Sequence, residues 1–145
     1  MSQVEDFLSA AEEQEIVAAI RTAEKHTSGE IRVHLEAHTD KVHYDRALEV
    51  FQGLKMYATE QRNGVLIYVA VVDKTFVIYG DRGIDEVVPV DFWESTRNAM
   101  LAKFKQGKFT QGIIDGILKA GEELKAHFPW QEGDVDELSN EISKG

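Results

Sequence analysis

The stretch Gly64-Val65-Leu66-Ile67-Tyr68-Val69-Ala70-Val71-Val72 constrains the fold more than any other part of this 145-residue chain. It is apolar on both faces of an extended backbone, so as a strand it needs cover above and below, which points to the centre of a sheet flanked by helices. Asp73-Lys74 follows as a short turn, and Thr75-Phe76-Val77-Ile78-Tyr79 returns as an antiparallel partner. The apolar run Val65 to Val72 is eight residues long, far below the roughly 20 that cross a bilayer as a helix.

Helical signals surround this hairpin. Ser9 and Glu12 have capping-box spacing, with Phe7 and Leu8 ahead of them as a staple, and Ile16, Val17, Ala19, Ile20 and Ala23 recur at helical spacing. A helix is therefore expected from Ala10 to about His26. Ile31, Val33 and Leu35 then alternate with Arg32, His34 and Glu36, the pattern of a strand over 30 to 37 whose polar face suggests a sheet edge or thin cover. A second helix is expected over Asp45 to Tyr57, and a third from Asp91, which has capping-box spacing to Glu94, to about Gln106. Gly107 closes it. Thr110 is expected to cap a last helix that buries Ile113, Ile114, Ile117, Leu118 and Leu124 and ends before Pro129, and its Gly112, Gly116 and Gly121 read most simply as close-packing positions. This order predicts an α/β fold, an α/β/α sandwich with a mixed central sheet in a Rossmann-like layered arrangement. One domain is expected over residues 1–128, with a loosely held acidic C-terminal tail over 129–145.

Charge and composition narrow the function classes. The formal net charge is −10 and the pI about 4.9, which argues against nucleic acid or an anionic membrane as the main partner. Residues 1–15 hold five acids and no base, and 129–145 hold five acids and one lysine, so the segment between them carries a net of only −1. The acidity belongs mainly to the ends. There is no cysteine, which excludes disulfides, thiolate metal sites and cysteine nucleophiles. The first residues show neither the basic segment nor the apolar stretch of a secretory signal, and a soluble, cytoplasmic, monomeric protein without membrane insertion is the expectation.

Topology concentrates the remaining chemistry. A strand-helix-strand unit is overwhelmingly parallel and right-handed, and the hairpin reverses the third strand. The start of the first strand, the start of the second and the end of the third then lie together, bringing Thr27-Ser28-Gly29-Glu30, Arg62-Asn63-Gly64 and Gly80-Asp81-Arg82-Gly83 to one end of the sheet. Glu30, Asn63, Asp81 and, shortly beyond, Asp85 are the candidate oxygen ligands of a hard cation, Ca²⁺ or Mg²⁺. Thr27, Ser28 and Arg82 are the flanking candidates for ligand binding. Glycine with Asp or Asn also simply makes turns, and each segment taken alone reads that way. No EF-hand loop occurs. His34 and His38 share a face of the first strand, but four residues of strand span about 13 Å, too far to chelate one zinc, and a solvated polar face is the simpler reading.

The same three segments carry a family resemblance. Thr27-Ser28-Gly29-Glu30-Ile31-Arg32-Val33, Asn63-Gly64-Val65-Leu66-Ile67 and Gly80-Asp81-Arg82-Gly83-Ile84, in that order, resemble the signature of the TPM domain family, thylakoid-lumen photosystem II repair proteins and their bacterial relatives. The resemblance runs from Phe7 to about Phe128. It implies an α/β/α sandwich, divalent-cation binding at the loop end, and the acid phosphatase activity proposed for plant members. Many relatives carry an N-terminal signal and a C-terminal membrane anchor or glycine-rich tail, which this sequence does not display. The expected function is a divalent-cation-binding regulatory or interaction module with a protein partner. The alternative is a metal-dependent acid phosphatase acting on phosphomonoesters. Phosphoryl hydrolysis needs a nucleophile or activated water in line, and neither a D-x-D strand end nor a P-loop is present. Ser28 is the one candidate attacker, so the catalytic residues stay unassigned.

Overall fold

A computed structural model describes residues 7–131 and 138–145. The elements in chain order are α1 (Ala10–Glu24), β1 (Glu30–Glu36), α2 (His43–Gly53), β2 (Gly64–Ala70), β3 (Thr75–Gly80), α3 (Arg82–Asp85), α4 (Glu94–Lys105), α5 (Phe109–Lys125) and β4 (Ser143–Lys144). The sheet order is β3-β2-β1-β4. β1 runs parallel to β2, with Glu30 opposite Gly64 and His34 opposite Tyr68, and β3 is antiparallel to β2, with Val65 opposite Gly80.

Every residue of β2 is buried, as its two-faced apolar pattern requires. On one face, Ile31, Val33, Leu35, Val65, Ile67 and Val69 pack against Ile16 and Ile20 of α1, Met100 of α4 and Ile113, Ile117 and Leu124 of α5. On the other, Leu66, Tyr68 and Ala70 lie under Ala47, Val50 and Phe51 of α2 and under Met56. The mixed α/β/α layering is thus present.

Local signals explain most boundaries. The Ser9 hydroxyl accepts from the Glu12 amide and the Glu12 carboxylate accepts from the Ser9 amide, each at 3.1 Å, the reciprocal pair that satisfies two otherwise orphaned donors. The helix glycines admit close neighbours: a Cβ at Gly116 would lie 2.6 Å from the Met100 sulfur, and one at Gly121 2.8 Å from Ala23 Cβ.

Four expectations are corrected. The Asp91–Glu94 spacing does not cap α4, which begins at Glu94 behind Trp93, because residues 89–94 are spent in turns in which the Phe92 amide donates to the Pro89 carbonyl and the Glu94 amide to that of Asp91. Thr110 does not cap α5, whose N-cap is Lys108; its hydroxyl donates instead to the Glu12 carboxylate. The polar face of β1 is not thinly covered, since Glu30, His34 and Glu36 are all buried. Finally, the acidic tail is not loosely held throughout. Residues 132–137 lie outside the described residues, but Ser143 and Lys144 pair parallel with His34 and Leu35, and the Lys144 ammonium meets Glu13 at 2.6 Å.

Candidate functional site

The register places the three segments where the topology argument put them. Glu30 stands opposite Gly64 and Val65 opposite Gly80. Main-chain bonds stitch the segments together: the Glu30 amide donates to the Asn63 carbonyl, the Asp81 amide to that of Gly64 and the Gly83 amide to that of Arg62. Gly83 is pressed so closely on the neighbouring loop that a Cβ there would lie 2.1 Å from the Gln61 carbonyl oxygen. No other residue fits without moving backbone.

Asp81 is almost wholly buried and is the most heavily engaged of the candidates. It caps α3 through the Arg82 amide at 2.7 Å. Its two carboxylate oxygens also accept from Arg62, Nε to Oδ2 at 2.7 Å and Nη2 to Oδ1 at 2.9 Å. This bidentate geometry is a strong form of charge-assisted hydrogen bond, and it holds the Arg62 guanidinium pKa above its ordinary value. Arg62 adopts φ 50°, a left-handed backbone uncommon for a side chain of its size. Asp85 lies one helical turn beyond Asp81, and its carboxyl pKa is raised, first by the partial desolvation of a side chain otherwise open to solvent and then by the negative charge of Asp81.

The remaining candidates make their contacts on the β1 side. The Glu30 carboxylate accepts from the Leu138 amide at 2.6 Å, which ties the C-terminal segment to the site. Asn63 is buried, its amide donating to Thr59 Oγ1 and its side chain lying 3.5 Å from Ser28 Oγ. Ser28 Oγ also accepts from Gln61 Nε2 at 3.2 Å. Thr27 is buried, donating to the Phe128 carbonyl at 2.5 Å and accepting from the Gly29 amide at 3.0 Å. Arg82 and Asp85 are exposed. Among the described residues, no group of three or more His, Asp or Glu is drawn together as a metal cluster. A cavity of about 310 Å³ opens beside the Arg62–Asp81 pair, lined also by Leu48, Phe51, Gln52, Tyr57 and Tyr79. Sequence reasoning missed Arg62, Tyr57 and Tyr79; only the position of Arg62, immediately before Asn63-Gly64, signalled one of them.

A second polar assembly, also missed, occupies the buried face of β1. Glu36 accepts from Arg46 through Nε at 2.9 Å and Nη2 at 2.8 Å, and also from the Tyr68 hydroxyl. His34 Nε2 lies 3.1 Å from the same carboxylate and its Nδ1 2.8 Å from the Ser143 hydroxyl. Burial alone would raise the Glu36 pKa, but the hydrogen bonds from Arg46, Tyr68 and His34 outweigh it and hold the carboxyl at about 2. His34 is therefore not on a solvated face. His38 is half exposed, with Nδ1 2.6 Å from Asp73 and Nε2 2.7 Å from Asp40, and His43 Nε2 lies 2.9 Å from the other Asp73 oxygen. Asp73 thus joins the β1–α2 loop to the β2–β3 turn.

Comparison with known proteins bears on what these assemblies share with others. A family model described as TPM domain matches residues 1–123. The BA42 protein of the psychrophilic bacterium Bizionia argentinensis, solved by NMR, is 62% identical over 100% of both chains with a TM-score of 0.93. The N-terminal domain of a P. gingivalis protein aligns at 19% identity, covering 83% of this chain and 78% of its own, with a TM-score of 0.66. The N-terminal domain of the cg2496 protein from Corynebacterium glutamicum aligns at 12% identity, over 91% and 82%, also at 0.66. These last two share the fold. No curated protein matches the chain.

Proposed function

The chain belongs to the TPM domain family, and from that premise we propose that it is a regulatory or interaction module that takes a divalent cation, Ca²⁺ or Mg²⁺, at the loop end beside Asp81 and Asp85. One observation carries the reading: Asp81 caps α3 and Asp85 ends it one turn further on, where partial desolvation and the charge of Asp81 make the Asp85 carboxyl harder to ionise. A bound cation relieves that repulsion. The donor set suits an ion that keeps much of its water, since Mg²⁺ takes one or two carboxylates and several waters, and Ca²⁺ accepts mixed carboxylate, carbonyl and water ligands. Asp81 and Asp85 would supply charge, with Asn63 and Glu30 behind them and Thr27, Ser28 and Arg82 at the border.

Arg62 already neutralises Asp81, so an incoming cation competes with the chain's own guanidinium. Weak binding follows, in the ~10⁻⁴–10⁻³ M class. Calorimetric titration with Ca²⁺ and Mg²⁺ tests this. Asp85→Asn should weaken binding several-fold and Arg62→Gln, which removes the competitor, should tighten it; affinities unchanged in both variants refute the reading. The hydrolase alternative requires a base beside Ser28, whose hydroxyl instead accepts from a Gln61 amide. Hydrolysis of a generic phosphomonoester with added Mg²⁺, lost in Ser28→Ala, would favour that alternative.

A further inference from the structure

At the opposite end of the sheet from the acidic loops, a cavity of about 320 Å³ opens between the β2–β3 turn, the start of α5 and the residues preceding α1. Four phenylalanines line it in a continuous chain of ring contacts. Phe7 meets Phe109 edge-on at 4.0 Å, Phe109 stacks on Phe104 at 5.0 Å, and Phe104 meets Phe76 edge-on at 5.4 Å. Phe76, Phe104 and Phe109 are half-buried against the core and Phe7 is exposed, so each ring keeps apolar surface open to the cavity, although rings of this size ordinarily contribute most when covered. Val69 and Val71 close the floor.

One cation stands at the rim in a chain whose net charge is −10. Lys74 lines the cavity, placed there by a turn in which it adopts φ 55°. Lys103, Lys105 and Lys108 lie in the adjoining stretch of sequence, which holds no acid, and do not themselves line the cavity. Gly107 at φ 73° turns the chain so that α5 opens at this rim with its amide end, which adds partial positive charge. Glu12, which reaches Thr110 on the same helix, is tied there and by the Ser9 cap.

We propose that this cavity binds a small amphiphilic carboxylate, its apolar part lying against the four phenylalanines and its carboxylate against Lys74 and the first turn of α5. A cavity of this size stands at the small end of the ~300–1,000 Å³ range of ligand pockets and holds on the order of ten water-sized volumes, room for a chain of about ten carbons. The cation site at the far end plays no part in this, so the two fail independently.

The test is an amide-resolved NMR titration of the full chain with hexanoate, octanoate and decanoate below their micelle concentrations, and with decanol as a neutral control. Saturable shifts are expected at residues 74–76 and 104–110, with affinity rising about fourfold per added methylene until the cavity is filled. Lys74→Gln should weaken decanoate about threefold and leave decanol unchanged. Thr75→Trp fills the cavity without deleting a core side chain and should abolish binding while the rest of the spectrum persists. Three results overturn the proposal: no saturable shift at these amides, decanoate and decanol binding equally with no effect of Lys74→Gln, or shifts at this rim only with phosphatidylglycerol vesicles, which would make it a membrane-docking surface.

Discussion

The Glu36 cluster permits a quantitative test of how this fold tolerates charge beneath a helix. Glu36 is 4% exposed and held at a pKa of about 2 against an ordinary 4.5. A difference of that size is worth roughly 3 kcal/mol at neutral pH, at 1.36 kcal/mol per unit. Because the folded pKa is depressed, this stability is fully present above pH 4.5 and is lost as pH falls from there through about 2. At pH 3 only about 1 kcal/mol of it should remain. Glu36→Gln keeps the volume and removes the charge. Urea denaturation of both proteins at pH 7 should show the variant less stable by about 3 kcal/mol, a midpoint shift of about 1 to 2 M for a domain of this size. At pH 3 the gap should shrink to about 1 kcal/mol. A gap that stays constant between the two pH values would mean that the substitution acts through packing and that the charge contributes nothing.

Three further outcomes follow from the same geometry. The Asp73 latch depends on two titrations of opposite sign: Asp73 is depressed from 3.8 to about 2 by His38 and His43, and His38 is raised above 6.5 by Asp73 and Asp40. The latch is therefore complete between about pH 4 and 6.5, weakens as pH falls through the Asp73 range, and weakens as pH rises through the His38 pKa. Protection of the Thr39 amide, which donates to Asp73 at 3.2 Å, measured as its hydrogen-exchange rate relative to the intrinsic rate at each pH, should be greatest in that window, and Asp73→Asn should flatten that protection profile. Gly121→Ala improves helix propensity by about 1 kcal/mol, yet its Cβ would stand 3.1 Å from the Ala23 backbone. Thermal unfolding should show net destabilisation of about 1–2 kcal/mol, and a stabilised variant would disprove the tight α1–α5 contact. Ser9→Ala should lower stability by about 1 kcal/mol through loss of the capping pair.

The layered fold was legible because its strongest signals are local. The two-faced apolar run, the capping box at Ser9 and the turn at Asp73-Lys74 each determine their own element, and the parallel and antiparallel pairings follow from connection rules. The convergence of residues 27–30, 62–64 and 80–83 was legible for the same reason. What was not legible depends on partners distant in sequence. Alternation at Arg32, His34 and Glu36 looks the same whether the polar face meets water or Arg46. The parallel register that sets His34 opposite Tyr68 decides between them. The Arg62–Asp81 pair was hidden because it rests on a left-handed backbone at an arginine, a conformation its residue type does not advertise. β4 is two residues long, too short for any periodicity.

The central claim, that the loop end takes a divalent cation, is tested most directly by an amide-resolved titration with Ca²⁺ and with Mg²⁺. Saturable shifts are expected at residues 27–30, 62–64 and 80–86, with a larger loss of affinity in Asp81→Asn than in His38→Ala. Shifts confined to residues 132–137, or equal losses in the two variants, would contradict it.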